Sequence, residues 1–316
     1  MQQFIFMRLI KNWIIATFIL TFLVIIAGGV VRTTQSGMGC PDWPTCFGRW
    51  IPPTNASELP PDFEKYLHKQ DIDHTFNVYH TWIEYINRLS GALLGWFAII
   101  QLVLLFFKKD IYPKAYKLSL AYFGVVVITG LFGALVVKLN LASASISVHL
   151  LLAVILLEIQ LAVLLSFQSK LFSIPVDKKL IKMLFAFLII LLIQVVLGTR
   201  VRMYVDEVSK AFHYGDRGEW LADQPISFLV HRSFSWIVLL TALFMGWYCK
   251  NIPAIRNKIF VLDGIILLSM VTGIILFYAN MPAVAQPIHL LLASLAITQT
   301  IAVLLQMQSK QNMVSL

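Results

Sequence analysis

Charge is what this sequence has least of. Of its 316 residues only 13% are Asp, Glu, Lys or Arg, while 59% are hydrophobic. A soluble domain of that length needs a charged exterior, so a water-soluble globular protein is excluded. Cysteine is scarce too. Cys40 and Cys46 share one loop and Cys249 stands alone at a helix end, which excludes a cysteine-based metal framework. Acids are outnumbered 16 to 25 by Lys and Arg, for a formal charge of +9. That excess would suit nucleic acid, but its placement along the chain argues for another cause.

What is present is a series of apolar runs, and mean hydropathy is +0.78. Runs long enough to cross a bilayer fall at about 12–31, 82–107, 117–137, 146–167, 180–200, 226–248, 259–279 and 287–306. The fold class is therefore an all-α polytopic membrane protein with eight transmembrane helices. The first run is too long for a cleaved signal peptide and reads as a retained helix. No Arg- and Ser-rich amphipathic presequence precedes it, which favours a bacterial protein over an organelle precursor.

The basic residues set the orientation. Arg8 and Lys11 precede the first run. Lys108, Lys109, Lys114 and Lys117 follow the second, and Lys170, Lys178, Lys179 and Lys182 follow the fourth. Lys250, Arg256 and Lys258 follow the sixth, and Lys310 follows the last. All of these lie on one side, expected to be cytoplasmic together with both termini. The opposite loops, 32–80 and 200–225, are long and mixed in charge. The positive charge thus reports topology, and a nucleic-acid face is not needed to explain it.

The chain also repeats itself. Residues 149–153 read His-Leu-Leu-Leu-Ala, and so do residues 289–293. Asn87-Arg88 aligns with His231-Arg232, and Thr129-Gly130 is matched to Thr272-Gly273. Each half, 1–170 and 171–316, holds four helices. The expected architecture is two four-helix bundles related by a pseudo-twofold axis along the membrane normal. Asn87, His149, His231 and His289 then share one depth, near the outer surface.

Histidine inside a membrane helix is costly, and repeating the cost in both halves marks a site. Two imidazoles at matched depth can hold one haem iron from both faces. The second half supplies a complete pair, His231 and His289. The first supplies His149, but its partner position is Asn87, a poor ligand for haem iron. Arg88 and Arg232 suit a haem propionate or a lipid phosphate. Glu84 lies one turn before Asn87 and His80 one turn before Glu84. The carboxylate suits proton transfer, or the dipole of the helix N-terminus. Glu158 suits a proton route, or a polar partner between bundles. Cys40 and Cys46 face an oxidising compartment, which favours a disulfide, either a staple or a redox element. His68, His74 and His213 read as solvated.

Several of these strings together resemble the haem A synthase family. They are Gly28-Gly29-Val30-Val31-Arg32-Thr33-Thr34-Gln35-Ser36-Gly37, the Cys40–Cys46 loop, Glu84-Tyr85-Ile86-Asn87-Arg88 and the paired His-Leu-Leu-Leu-Ala helices. The resemblance covers most of the chain. It implies oxidation of a ring methyl of haem O to a formyl group, giving haem A for cytochrome oxidase. It implies a resident haem b on His231 and His289 in the second half. The substrate haem would sit in the first half, with His149 as ligand and Glu84 as catalytic carboxylate. Cys40 and Cys46 would be a redox-active pair. The implied partners are haem O, haem O synthase and cytochrome oxidase assembly factors. A homo-oligomer is compatible, and the implied location is the bacterial inner membrane. The family pattern has histidine where this chain has Asn87, leaving His80 as the other candidate second ligand. The competing function is a b-type cytochrome that carries electrons without oxidising a substrate.

Overall fold

The computed structural model describes residues 2–67, 76–167 and 177–308. His68 and His74 lie outside the described residues. Eight described helices are long and apolar enough to cross a membrane. They are α1 (Gln2–Thr33), α2 (Val78–Phe106), α3 (Pro113–Lys138), α4 (Ser143–Phe167), α5 (Lys178–Ala211), α6 (Ile226–Cys249), α7 (Pro253–Tyr278) and α8 (Ala285–Gln308). No strand forms among the described residues.

Local chemistry sets the helix starts. Asn77 caps α2 by accepting from the N–H groups of Tyr79 and His80, and Asp177 caps α5 by accepting from those of Lys179 and Leu180. Pro113 and Pro253 occupy the first turns of α3 and α7, where a missing N–H costs nothing. Asn140-Leu141 and Asn280-Met281 reverse the chain with left-handed backbone after α3 and α7. Each of these pairs is 140 residues apart, as are His149 and His289. The repeat therefore holds one register from α3 through α4 and from α7 through α8.

That register corrects the pairing of Thr129-Gly130 with Thr272-Gly273. The structural counterparts of Thr272-Gly273 are Phe132-Gly133, three residues further on. A second correction concerns α5, which continues to Ala211 where a loop is expected from residue 200. Its last three turns are amphipathic and lack Gly and Pro. Val205 buries its side chain with Trp220, Leu221, Phe228 and Met281, so the helix continues past the apolar run.

In the first half α1 packs on α2, α2 on α3, α3 on α4, and α4 back on α1. In the second, α5, α6, α7 and α8 close in the same order. The two rings meet where α1 and α4 pack on α8 and α4 touches α5. Large apolar side chains such as Trp96, Leu131, Trp236 and Leu240 point away from both rings. Such a surface suits lipid and would aggregate in water. Across the bundle interface Thr298 donates to Glu158 at 2.7 Å. Glu158 thus has the polar partner between bundles that was one of its two readings.

Candidate haem-binding sites

His231 on α6 and His289 on α8 lie on diagonal helices of the second bundle, and the structure brings them together. Their ring centres are 6.4 Å apart with planes 75° to one another. Imidazoles bound end-on to opposite sides of one iron, with bonds of about 2 Å, hold their ring centres about 6 Å apart. The residues present therefore fit a haem iron. Small residues make the space. A Cβ on Gly198 of α5 would come within 3.2 Å of the His231 ring, and one on Gly273 of α7 within 3.4 Å of the His289 ring. Thr272 Oγ1 lies 2.9 Å from His289 Nδ1, which leaves Nε2 for a metal. His231 Nδ1 is buried with no hydrogen-bond partner. The exposed Arg232 guanidinium lies over the Phe228 ring at 5.7 Å.

The first bundle repeats this frame incompletely. Gly133 lies against the His149 ring, 3.3 Å from where its Cβ would be. Phe132 stacks beside that ring at 6.4 Å, in the place Thr272 takes beside His289. His149 Nδ1 is accordingly buried without a partner, and the Thr129 hydroxyl bonds instead to the Val125 carbonyl. Asn87 is half-buried on α2, on the helix diagonal to α4. Gly28 stands one turn before Arg32, as Gly198 stands before Arg202. A Cβ there would meet nothing within 4 Å. Where the second bundle fits an imidazole against glycine, the first has open space.

Above Asn87 the two halves differ most. Glu84 is buried, at 4% exposure, and its counterpart in the second half is Phe228. Glu84 Oε2 accepts the N–H of Cys40 at 2.7 Å. Its Oε1 accepts from Nε and Nη2 of Arg88 at 3.1 and 2.6 Å. The remaining Arg88 donors go to the carbonyls of Cys40, Asp42 and Thr45. A guanidinium has five N–H donors, and all five are engaged. Arg88, which from the sequence suits a propionate or a lipid phosphate, is the clamp between the cysteine loop and the Glu84 carboxylate.

The loop itself is closed by a Cys40–Cys46 disulfide. Both sulfurs are fully buried, with Phe47, beneath Phe63, Tyr66, Phe76 and Tyr85. Asp42 ties the loop by accepting from the Thr45 hydroxyl and from the N–H groups of Phe47 and Gly48. Gly39 allows the loop to lie on α2, since a Cβ there would come within 2.3 Å of the His80 carbonyl. Thr81 donates to the Gly39 carbonyl at 2.9 Å. His80 sits in the first turn of α2, seven residues before Asn87. In the same loop the Glu58 carboxyl is held below the usual carboxylate range, chiefly by the Thr54 N–H and hydroxyl. His213, expected to be solvated, is exposed.

Sequence reasoning named Gly273 but matched it to Gly130, and it passed over Gly133, Gly198 and the Phe132/Thr272 exchange. The signal was present: Gly133 precedes His149 by sixteen residues, as Gly273 precedes His289.

A relative from Shewanella oneidensis named Heme A synthase is 32% identical over 143 residues, covering 44% of this chain and 40% of its own length. One of the same name from Orientia tsutsugamushi is 30% identical over 171 residues, 50% of this chain and 47% of its own. A third, from Bartonella bacilliformis, is 24% identical over 314 residues, 89% of this chain and 87% of its own. The chain thus spans less than half the length of the first two relatives and most of the third. The family model described as cytochrome oxidase assembly protein matches residues 11–301. Through both bundles, the chain belongs to the COX15-CtaA family of cytochrome oxidase assembly proteins.

Proposed function

We propose that this protein is a haem-dependent membrane oxidoreductase, a haem A synthase that oxidises a ring methyl of haem O to a formyl group. The observation that carries this reading is the asymmetry of the two bundles. One presents two facing imidazoles; the other has a single imidazole, open space at Gly28 and a buried carboxylate one turn above Asn87. Two facing imidazoles suit a resident haem b whose iron carries electrons. The iron bound at His149 would supply the oxidising chemistry when present. Around it the chain's own groups have distinct tasks. His149 holds the iron from α4. Asn87, too weak a ligand to close the opposite side, keeps that side accessible. Glu84 passes a proton or stabilises positive charge as the methyl group is oxidised. Arg88 and the Cys40 N–H keep Glu84 in place. Arg232 is available to a propionate of the resident haem.

The same reading puts residues 1–170 around the substrate and residues 171–316 around haem b, related by a pseudo-twofold axis. It also puts the histidine end of the helices at the outer side of the bacterial cytoplasmic membrane, with both termini on the cytoplasmic side. The relatives' shared name supports the activity, and the basic loops support the orientation. The b-type cytochrome reading accounts for His231 and His289 but gives the clamped Glu84 no task. The two readings separate on one comparison. His149→Ala should end haem A formation and leave the resident-haem spectrum in place, whereas a pure electron carrier would form no haem A with either histidine present.

A further inference from the structure

Glu158 is the one acid of α4 and stands near the middle of that helix's apolar run. A carboxyl at such a depth is expensive and marks function. Its partner across the bundle interface, Thr298 of α8, lies 140 residues further on and is its counterpart in the repeat. Glu158 follows His149 by nine residues, as Thr298 follows His289. The carboxyl therefore sits about 13.5 Å below both imidazole levels, counted along the helices.

The contact is built for two protonation states. Thr298 Oγ1 lies 2.7 Å from Glu158 Oε1 and 2.9 Å from the Ser294 carbonyl oxygen. A hydroxyl has one proton, so it serves one of these oxygens at a time. With Glu158 ionised, Thr298 donates to the carboxylate. With Glu158 protonated on Oε1, the carboxyl donates to Thr298 and Thr298 donates to Ser294. Either state keeps Oε1 hydrogen-bonded, and the change needs only rotation of one hydroxyl. Glu158 Oε2 is buried with no hydrogen-bond partner, so it ties the group to neither state. A static bond between bundles would not need an acid. Two residues further on, Gln160 makes such bonds with Gln101 at 2.7 and 2.9 Å.

The neighbouring helices hold no fixed charge to balance this carboxyl. α1, α3, α5 and α8 all pack on α4. Their membrane-spanning stretches, residues 13–31, 118–137, 183–199 and 287–306, carry just two titratable side chains, Tyr122 and His289. The Tyr122 hydroxyl is paired with that of Thr21 at 2.9 Å. The varying charge nearest in kind is that of the iron for which His289 is a ligand.

We propose that Glu158 is a redox-linked proton site at the seam between the halves, binding a proton more tightly when the iron held by His231 and His289 is reduced than when it is oxidised. The proposal rests on that pair holding a haem iron. One electron from a one-electron donor lowers the charge of the iron by one. One proton joins the Glu158 carboxylate, so an O–H bond forms and no bond breaks. Neutralising the electron in this way eases its passage between the halves, through an interior that screens charge poorly.

The test uses the solubilised full-length protein with its b-type haem in place. The haem midpoint potential is followed from about pH 5 to about pH 9, a span wide enough for a buried carboxyl. A unit charge about 15 Å away, at an effective dielectric of about 20, changes proton affinity roughly sixfold. Reduction strengthens proton binding, so the potential should fall as pH rises. The fall should be about 45 mV larger in wild type than in Glu158→Gln, which is that sixfold expressed for a one-electron couple. Haem propionates titrate in both proteins and cancel in the comparison. Redox-difference infrared spectra of wild type should show a protonated carboxyl gained on reduction and missing from Glu158→Gln. The same pH dependence in both proteins would overturn the proposal. So would a wild-type infrared spectrum without any carboxyl change, a result that needs no variant to fold. If His231→Ala and His289→Ala each leave the b-type spectrum unchanged, the pair is not the ligand set and the functional reading fails first.

Discussion

Thr272 Oγ1 lies 2.9 Å from Nδ1 of His289. The hydroxyl fixes which imidazole nitrogen faces the partner histidine, and such supporting bonds are worth about 10–100-fold in metal affinity. Thr272→Val should therefore weaken retention of the resident haem by that range and broaden its spectrum. Unchanged retention would mean that helix packing alone orients His289. Because Phe132 takes the corresponding place beside His149, Phe132→Thr is the converse experiment and should tighten haem binding in the first bundle.

The ring spacing of His231 and His289 predicts a low-spin haem with two imidazole ligands. Purified protein should show a b-type spectrum, and His231→Ala or His289→Ala should each abolish most of it. An unchanged spectrum in both variants would remove the assignment.

One Glu84 oxygen accepts from the Cys40 N–H and the other from Arg88, so Glu84→Gln turns one acceptor into a donor, while the disulfide and Asp42 still close the loop. Glu84→Gln should lower haem A formation about 10²–10⁴-fold with the resident-haem spectrum intact. Wild-type formation would mean that the carboxylate is not catalytic. Asn87→His tests the open side. If that side must stay open, the variant should bind the substrate haem more tightly and turn over more slowly. If His80 is instead the second ligand, His80→Ala should weaken haem binding in the first bundle and Asn87→His should restore it.

The Cys40–Cys46 disulfide is buried under an aromatic lid and lies opposite the basic loops. Thiol labelling of intact cells should appear at these two residues only after reductant. Labelling of both without reductant would contradict the loop's structure.

Much of this was legible in the sequence, for physical reasons. The eight helices are unbroken apolar runs, and lipid demands such runs wherever a helix crosses. The His231/His289 pair was legible because an imidazole at the head of an apolar run stands out. The end of α5 was not, since residues 201–211 carry charges and bury only one face. The Thr129-Gly130 match misled because a dipeptide recurs easily, while the true counterpart of Thr272 is a phenylalanine of opposite chemistry. Arg88 looked free because three of its five hydrogen bonds go to carbonyls of a loop more than 40 residues earlier in the chain. The Arg32–Asp206 contact spans 174 residues and both halves, and no local pattern records such a pairing.

The most direct measurement is haem extraction from a host that makes haem O but lacks its own haem A synthase. Expression of this chain there should yield haem A, and the Glu84→Gln variant at equal abundance should not. Recovery of haem O and haem B alone, from cells in which the protein is folded and carries its b-type haem, would contradict the account and leave an electron-carrying cytochrome.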